Sequence, residues 1–178
     1  MDMTAKDFVR LIGRQKKDII EVLLNILHKK QIPYCIIGGL AVNAYAEPVV
    51  SLDLDVIVAT SNIKLLCQEM KKHRVKVEIF QHSINLTTQD SQLRIQIQTD
   101  KRYQSFVRNA VCKNVLGYKM MVAQLEDVLQ GKIFAYQDKE RRLSKKQKDL
   151  ADIMRIVECY PNLLTQLPSS VRPLFENS

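Results

Sequence analysis

The chain has 178 residues, of which 46% are hydrophobic, and this suits one globular domain that buries a core of its own. The net charge of +8 is compatible with a polyanionic partner such as RNA, although basic helix surfaces are often simply solvated. Four cysteines without metal-binding pair spacing argue against a zinc site or a disulfide framework. Because no apolar run is long enough to cross a bilayer and the chain does not start with a basic and then apolar leader, we expect a soluble, cytoplasmic protein with no membrane partner.

Taken in chain order, the hydrophobic pattern predicts alternating helices and strands. A first helix, capped by Thr4, is expected to run to about residue 29. Strands are predicted in the segments PYCII, SLDLDVIV, VKVEIF, SINLTT and LRIQIQT, with helical segments after the first two, and weaker strands in NAVCKNVLGYKMM. The middle of the chain is therefore predicted to be a sheet with helices packed against it.

Two helices are predicted in the last third of the chain. The first covers AQLEDVLQGKIFAY, and the second begins at Ser144, where SKKQ has the spacing of a capping box. The second helix is expected to bury an apolar stripe that consists of Leu150, Ile153, Met154 and Val157. We therefore expect a single domain over residues 1–178, with a sheet-containing core over about 1–120 and a helical part over about 121–178.

Two aspartates interrupt the apolar strand SLDLDVIV. Because side chains alternate along a strand, Asp53 and Asp55 share one face, about 7 Å apart. Two carboxylates this close repel each other unless a cation lies between them. Mg²⁺ prefers one or two carboxylates together with phosphate oxygens of a substrate, so the pair indicates metal-assisted chemistry on a phosphate ester. The structural alternative is a solvent-facing edge of a strand.

Gly38 and Gly39 lie between the preceding strand and a helical segment. A Gly-Gly turn lets backbone N–H groups approach a triphosphate. Each motif alone is common and is structural in most chains. In this order and at this spacing, they predict a phosphate cradle beside a metal site.

The strand, Gly-Gly turn, helix and Asp-x-Asp strand together resemble the signature of the DNA polymerase β-type nucleotidyltransferase superfamily. The segment VAQLEDVLQGKIFAYQDKERRLSKKQKDLADIMRIVECYP is similar to the minimal AbiEii-like branch, where a Leu-Glu-Asp-led helix carries a lysine and the next helix reads Lys-Asp-Leu-x-Asp-Ile. The similarity spans roughly residues 32–160. It implies an α+β nucleotidyltransferase fold, with a small mixed β-sheet flanked by helices and a helical C-terminal part that closes over the cleft.

The resemblance also implies roles for the matching residues of the sheet. Gly38 and Gly39 would lie against the triphosphate of a nucleoside triphosphate. Asp53 and Asp55 would bind Mg²⁺ and orient the α-phosphate for attack.

In the helical part, the resemblance gives Lys132 the role of contacting and neutralising the nucleotide phosphates. Asp149 would be the acidic residue that completes the cleft and helps to activate the incoming hydroxyl, with Asp152 as the weaker choice. The alternative for this helix is surface pairing at i, i+4 spacing, of Lys145 with Asp149 and of Lys148 with Asp152.

The sequence departs from the superfamily pattern at one position. Many members carry a third carboxylate on a later strand, whereas LRIQIQT has Arg94, Gln96 and Gln98 on its polar face. Glutamine cannot act as a general base, so that role would fall to Asp149 or to the substrate. Glu78 and Asp100 are weaker substitutes.

Three hypotheses follow. The first is an enzyme that moves a nucleoside monophosphate from a nucleoside triphosphate to a hydroxyl acceptor, with RNA or tRNA preferred because of the basic surface and a protein or small molecule left open. The AbiEii-like resemblance implies a toxin with an antitoxin partner. The second is a nucleotide- or RNA-binding protein on the same fold that has lost turnover, which Gln96 motivates. The third is an unrelated α/β interaction domain.

Overall fold

The computed structural model describes residues 18–89 and 91–175, which form a seven-stranded mixed sheet flanked by helices. The strands are β1 Tyr34–Ile37, β2 Asp53–Val58, β3 Lys76–Ile79, β4 Ser83–Thr87, β5 Arg94–Gln98, β6 Val111–Val115 and β7 Tyr118–Val122. The α-helices are α1 Ile19–Lys29, α2 Gly38–Val42, α3 Ile63–Lys72, α4 Leu125–Gln137 and α5 Leu143–Cys159. Short 3₁₀ helices cover Thr60–Asn62, Lys101–Asn109, Pro161–Gln166 and Arg172–Leu174. The α+β fold class predicted from the sequence is confirmed.

The strands follow the order β3-β4-β5-β2-β1-β7-β6 across the sheet. β2 lies at its centre, antiparallel to β1 and parallel to β5. The outer strands form antiparallel hairpins, β3 with β4 on one side and β6 with β7 on the other. Each segment predicted as a strand contains one in the structure, because its alternating or β-branched residues suit a half-buried pleated surface.

The two faces of the sheet differ in chemistry. Leu54 and Val56 of β2 are fully buried on one face, and Ile36 and Val122 are in register with Val56 on that face. Asp53 and Asp55 point to the opposite face, which we call the cleft face. The alternation of β2 therefore buries the apolar core on one side and presents both carboxylates on the other.

Helix α1 packs on the apolar face. Its N-cap Asp18 accepts hydrogen bonds from the backbone N–H groups of Ile20 and Glu21, and also from the Tyr118 hydroxyl of β7. The buried face predicted for this helix is confirmed, since Ile19, Leu23, Ile26 and Leu27 are all buried. The predicted Thr4 cap and residues 4–17 of the expected helix lie outside the described residues.

The expectations for the last helix are confirmed only in part, since Ile153 and Val157 are buried as predicted. Helix α5 begins at Leu143 rather than Ser144, and its N-cap Arg142 makes no side-chain capping bond. Its fully buried face includes two carboxylates that periodicity places in solvent, whereas the predicted Leu150 and Met154 are only half-buried. The buried residues of α5 are Asp149, Asp152, Ile153, Ile156 and Val157. The carboxylates are tolerated there because basic side chains pair with them, as described below.

The last strand, β7, ends at Val122, and α4 begins at Leu125. Helices α4 and α5 pack against each other, and both contact α2. None of the helices within residues 18–89 and 91–175 is long and apolar enough to cross a membrane.

Candidate functional site

A cleft opens where the cleft face of the sheet meets α4 and α5. Its volume is about 360 Å³, which is in the range of small-ligand sites. Residues from the sheet, from the Gly-Gly turn and from both C-terminal helices line it, and all six residues predicted for the site are among them: Gly38, Gly39, Asp53, Asp55, Lys132 and Asp149. The structure therefore brings these residues together, although in the sequence they extend from the turn after β1 to helix α5.

The first glycine of the Gly-Gly turn, Gly38, has no room for a side chain, because Asp55 lies against it. Gly38 has a φ of +71°, a backbone conformation that L side chains rarely adopt. A Cβ atom on Gly38 would lie 2.1 Å from Oδ2 of Asp55. Ile37, just before the turn, is in register with Asp55 across the β1–β2 pair, which holds the carboxylate against the glycine. Only a glycine permits this contact.

Gly39 has a different environment. A Cβ atom there would meet its nearest neighbour, Oγ of Ser51, at 3.7 Å, which is an ordinary van der Waals distance. Its backbone lines the cleft without being forced to be glycine by the fold. The lack of a side chain at Gly39 therefore leaves its backbone open to close approach by a ligand in the cleft.

We expect the two glycines to respond differently to substitution by alanine. Gly38→Ala should lower the free energy of unfolding by about 2 kcal/mol, because it adds backbone strain and a clash with Asp55. Gly39→Ala should leave that free energy unchanged or raise it by about 0.5 kcal/mol, because alanine is the better helix former at a position with room for it. Urea unfolding of both variants measures the contrast, and equal losses would contradict it.

The Asp55 carboxylate lines the cleft, and no basic side chain of the described residues forms an ion pair with it. The ion pairs that the described residues make in and beside the cleft go to Asp53, Asp149 and Asp152, and none goes to Asp55. Burial raises the pKa of the Asp55 carboxyl, the ammonium of Lys132 opposes this rise, and the neighbouring Asp53 adds to it. A cation bound beside Asp55 would offset the free-energy cost of keeping this carboxylate charged.

Asp53, in contrast, already has basic partners. It is in register with Arg94 across the parallel β2–β5 pair. The Arg94 guanidinium donates from Nε to Oδ1 of Asp53 at 3.1 Å, and its Nη2 lies 2.9 Å from the same oxygen. Nζ of Lys145 on α5 lies 3.9 Å from Oδ2. The two aspartates of β2 therefore share a face but differ in electrostatic environment.

Gln96 lies where a third carboxylate was expected. It is in register with Asp55 across the β2–β5 pair and lines the cleft. The neighbour of Asp55 on β5 is thus a neutral amide, which can donate a hydrogen bond but cannot accept a proton as a base. Glu78 lies on edge strand β3, which is separated from β2 by two strands, and does not line the cleft.

Lys132 ties the two C-terminal helices together. Its ammonium, on α4, lies 3.1 Å from Oδ1 of Asp149 and 2.6 Å from Oδ2 of Asp152, both on α5. These three are the only charged side chains that are fully buried within the described residues. The surface-pairing alternative for Asp149 and Asp152 is therefore wrong, because both carboxylates are buried and pair with Lys132 of α4.

Two arginines extend this buried group in opposite directions. Arg141, in the loop between α4 and α5, donates to Oδ2 of Asp149. Arg155 donates to Oδ1 of Asp152 at 2.8 Å and to Oδ1 of Asn43 at 2.9 Å, and it also reaches the carbonyl of Glu47. The network thus runs from the mouth of the cleft to the segment that joins α2 to β2.

Basic side chains outnumber acidic ones around the cleft. The described residues that line it include six basic side chains, Arg94, Lys132, Arg141, Arg142, Lys145 and Lys148, and four acidic ones, Asp53, Asp55, Asp127 and Asp149. The sequence left two interpretations open for the basic residues of α5, a polyanionic partner or solvated surface charge. The feature of the sequence that indicates their common direction is the three-residue spacing of Arg142, Lys145 and Lys148, which places these side chains on one side of a helix. The excess of positive charge suits a polyphosphate.

The donor set suits Mg²⁺. No group of three or more His, Cys, Asp and Glu side chains that could hold a metal ion occurs within the part of the chain that the structure describes. Mg²⁺ does not need one, since it is usually held by one or two carboxylates together with substrate phosphates and water. Asp53 and Asp55 offer hard oxygen ligands on one face, and the half-buried Asp55 carboxylate forms no ion pair with the residues that the structure describes. These residues fit such an ion.

Comparison with known proteins finds similar folds among solved structures, whereas no protein-family model and no curated protein matches the chain. ANT(2'')-Ia in complex with adenylyl-2''-tobramycin is similar with a TM-score of 0.59 at 14% identity, over 89% of this chain and 95% of that one. The lincosamide antibiotic adenylyltransferase LnuA, with lincomycin bound, gives 0.54 at 12%, over 78% of this chain and 96% of that one. An antigenic nucleotidyltransferase-like protein from Paracoccidioides brasiliensis gives 0.52 at 17%, over 95% and 92%. The chain therefore has the nucleotidyltransferase fold.

Proposed function

We propose that this protein is a Mg²⁺-dependent nucleotidyltransferase, which moves a nucleoside monophosphate from a nucleoside triphosphate to a hydroxyl acceptor. One observation carries the proposal. The Gly-Gly turn, the paired aspartates of β2 and the Lys132–Asp149 pair line a single cleft with an excess of positive charge. The nucleotidyltransferase fold supports the same chemistry.

Each part of the cleft has a role in this proposal. The backbone at Gly38 and Gly39 lies against the triphosphate, and Asp53 and Asp55 hold Mg²⁺. The bound ion supplies a Lewis acid that neutralises phosphate charge as the bond to the leaving group breaks. Lys132 and Arg141 add fixed positive charge on the opposite wall.

The reaction transfers the α-phosphoryl group with its nucleoside. The acceptor oxygen attacks the α-phosphorus, the bond from that phosphorus to the bridging oxygen breaks, and pyrophosphate leaves with the electron pair of that bond. The hydroxyl proton passes to water or to a phosphate oxygen of the substrate. Both Asp149 oxygens are engaged, Oδ1 by Lys132 and Oδ2 by Arg141. In this proposal Asp149 positions these two cations, rather than accepting the proton.

RNA, with tRNA as one candidate, is the acceptor we prefer. Arg142, Lys145 and Lys148 form a basic rim on the cleft side of α5, and such a rim attracts a phosphate backbone. A small-molecule hydroxyl is the alternative, since LnuA is described with lincomycin and ANT(2'')-Ia with adenylylated tobramycin. The AbiEii-like resemblance adds a toxin role with an antitoxin partner, which growth arrest dependent on both Asp53 and Asp55 would support.

Incubation with the four nucleoside triphosphates, each labelled at the α-phosphate, tests the proposal. With Mg²⁺ and total RNA, we expect label in acid-insoluble RNA from at least one nucleotide and none when EDTA replaces Mg²⁺. A matched set with lincomycin and tobramycin in place of RNA tests the small-molecule alternative. If no acceptor becomes labelled with any nucleotide, the enzymatic proposal is wrong.

A second candidate is a nucleotide-binding protein that has lost turnover. Two observations favour it: Gln96 replaces a carboxylate beside Asp55, and Arg94 pairs with Asp53, one of the two expected metal ligands. Nucleotide binding without transfer to any acceptor would support this candidate over the enzyme.

A further inference from the structure

Arg94 is the feature of the cleft that neither the predicted roles nor the proposed reaction explains. Its guanidinium donates a hydrogen bond from Nε to Oδ1 of Asp53 at 3.1 Å, and its Nη2 forms an ion pair with the same oxygen at 2.9 Å. A group that binds the same oxygen must compete with it. Asp55, two residues further along β2, carries no such partner among the described residues. The two expected metal ligands are therefore not equally available.

The position of Arg94 is set by the backbone. It is the residue of β5 in register with Asp53 in a parallel pair at the centre of the sheet, so its Cα cannot move away without breaking the ladder. Its side chain is still 39% exposed and lines the cleft. The guanidinium is thus held near Asp53 but keeps room to turn toward a ligand in the cleft.

We propose that Arg94 is a positioning residue that makes metal binding at Asp53 depend on nucleotide binding, and this rests on the proposed function. A guanidinium pairs well with two oxygens at once, and a triphosphate offers such pairs. When a phosphate of the nucleotide binds the Arg94 guanidinium in place of Asp53, Oδ1 of Asp53 can bind a metal ion instead. Nucleotide and metal then favour each other's binding, and by linkage the coupling is reciprocal.

This arrangement predicts that removing the charge of Arg94 changes two affinities in opposite directions, the affinity for a metal ion alone and the affinity for a nucleoside triphosphate alone. In Arg94→Gln, the affinity for Mn²⁺ alone should rise about tenfold, because the competing cation is gone. The affinity for nucleoside triphosphate in EDTA should fall about tenfold, because a phosphate contact is lost. Arg94→Lys, which keeps the charge but not the fork, should lie between the wild type and Arg94→Gln in both measurements.

Two binding experiments measure these effects without any turnover. Free Mn²⁺ is quantified by its electron paramagnetic resonance signal in titrations of wild-type protein, Arg94→Gln and Arg94→Lys. Binding of each of the four nucleoside triphosphates is measured by calorimetry in EDTA. Arg102→Gln is the matched control, since it removes an arginine from another Arg–Asp pair, that with Asp100, and Arg102 does not line the cleft. Neither affinity should change in that variant.

The outcomes separate this inference from the proposed function. Opposite shifts in Arg94→Gln, absent from Arg102→Gln, support the inference. Parallel losses of both affinities would mean that Arg94 only maintains the fold, and equal shifts in Arg102→Gln would mean a general effect of net charge; either overturns it. Normal nucleotide binding with unchanged Mn²⁺ affinity in Arg94→Gln overturns the inference alone. If wild-type protein binds no nucleotide even with Mg²⁺, the proposed function fails.

Discussion

Replacing Asp55 by asparagine is expected to remove nucleotidyl transfer while making the protein more stable. Transfer should fall about 10³-fold, because an amide is a poor ligand for Mg²⁺ and the triphosphate charge would be left without its counter-ion. The free energy of unfolding should rise by up to about 1 kcal/mol, because the substitution removes a half-buried carboxylate that has no basic partner among the described residues. The transfer assay and urea unfolding, run on one preparation, measure the two effects.

The control for Asp55→Asn is a carboxylate of similar chemistry away from the cleft. Glu69 on α3 pairs with Lys72 at 2.7 Å on the protein surface. Glu69→Gln should leave transfer at the wild-type level and change the free energy of unfolding little, because surface ion pairs contribute little to stability. Asp55→Asn with unimpaired transfer would remove Asp55 from the proposed site. Lost transfer together with lost stability would mean that the carboxylate supports the fold instead.

Replacing Lys132 by methionine is expected to produce the largest loss of stability in the chain. The ammonium is 8% exposed and pairs with two carboxylates that are 2% and 5% exposed. Removing one partner from a buried ionic group costs roughly 3–5 kcal/mol, because the remaining charges stay buried with fewer contacts. Urea unfolding should show a lower midpoint with an unchanged dependence on urea concentration.

Lys145→Met is the matched control for Lys132→Met, since both lysines line the cleft. Lys145 is 39% exposed and lies 3.9 Å from Asp53, so its loss should cost less than about 1 kcal/mol. If Lys132→Met does not fold, the triple variant Lys132→Met, Asp149→Asn and Asp152→Asn should recover folding, because none of the three fully buried charged groups then remains. Similar small losses in both single variants would show that the buried group does not hold α4 to α5.

Much of the fold could be predicted from local patterns. Alternating residues in SINLTT and LRIQIQT indicate strands because one face is buried, and the structure contains β4 and β5 there. The same alternation placed Asp53 and Asp55 on one face. These features depend only on residues within one strand, so a single sequence contains the information.

The features that could not be predicted depend on contacts between distant segments. Periodicity assigns charged residues to solvent, so it could not place Asp149 and Asp152 in the interior, where Lys132 of another helix neutralises them. The Arg94–Asp53 pair depends on the register of β5 against β2, across 41 residues of sequence. Strand register between distant segments leaves no local signal. The unexpected parts of the cleft are therefore its charge pairs rather than its motifs.

The most direct test of the central claim is which phosphate of the nucleotide reaches the acceptor. Parallel reactions use the same nucleoside triphosphate labelled at either the α- or the γ-phosphate, with Mg²⁺ and the acceptor that becomes labelled in the transfer assay. Nucleotidyl transfer predicts that the α-label enters the acceptor and that the γ-label is recovered as pyrophosphate. In the double variant Asp53→Asn and Asp55→Asn, we expect neither a labelled acceptor nor labelled pyrophosphate. Entry of the γ-label into the acceptor, or α-labelling that survives in the double variant, would contradict the account.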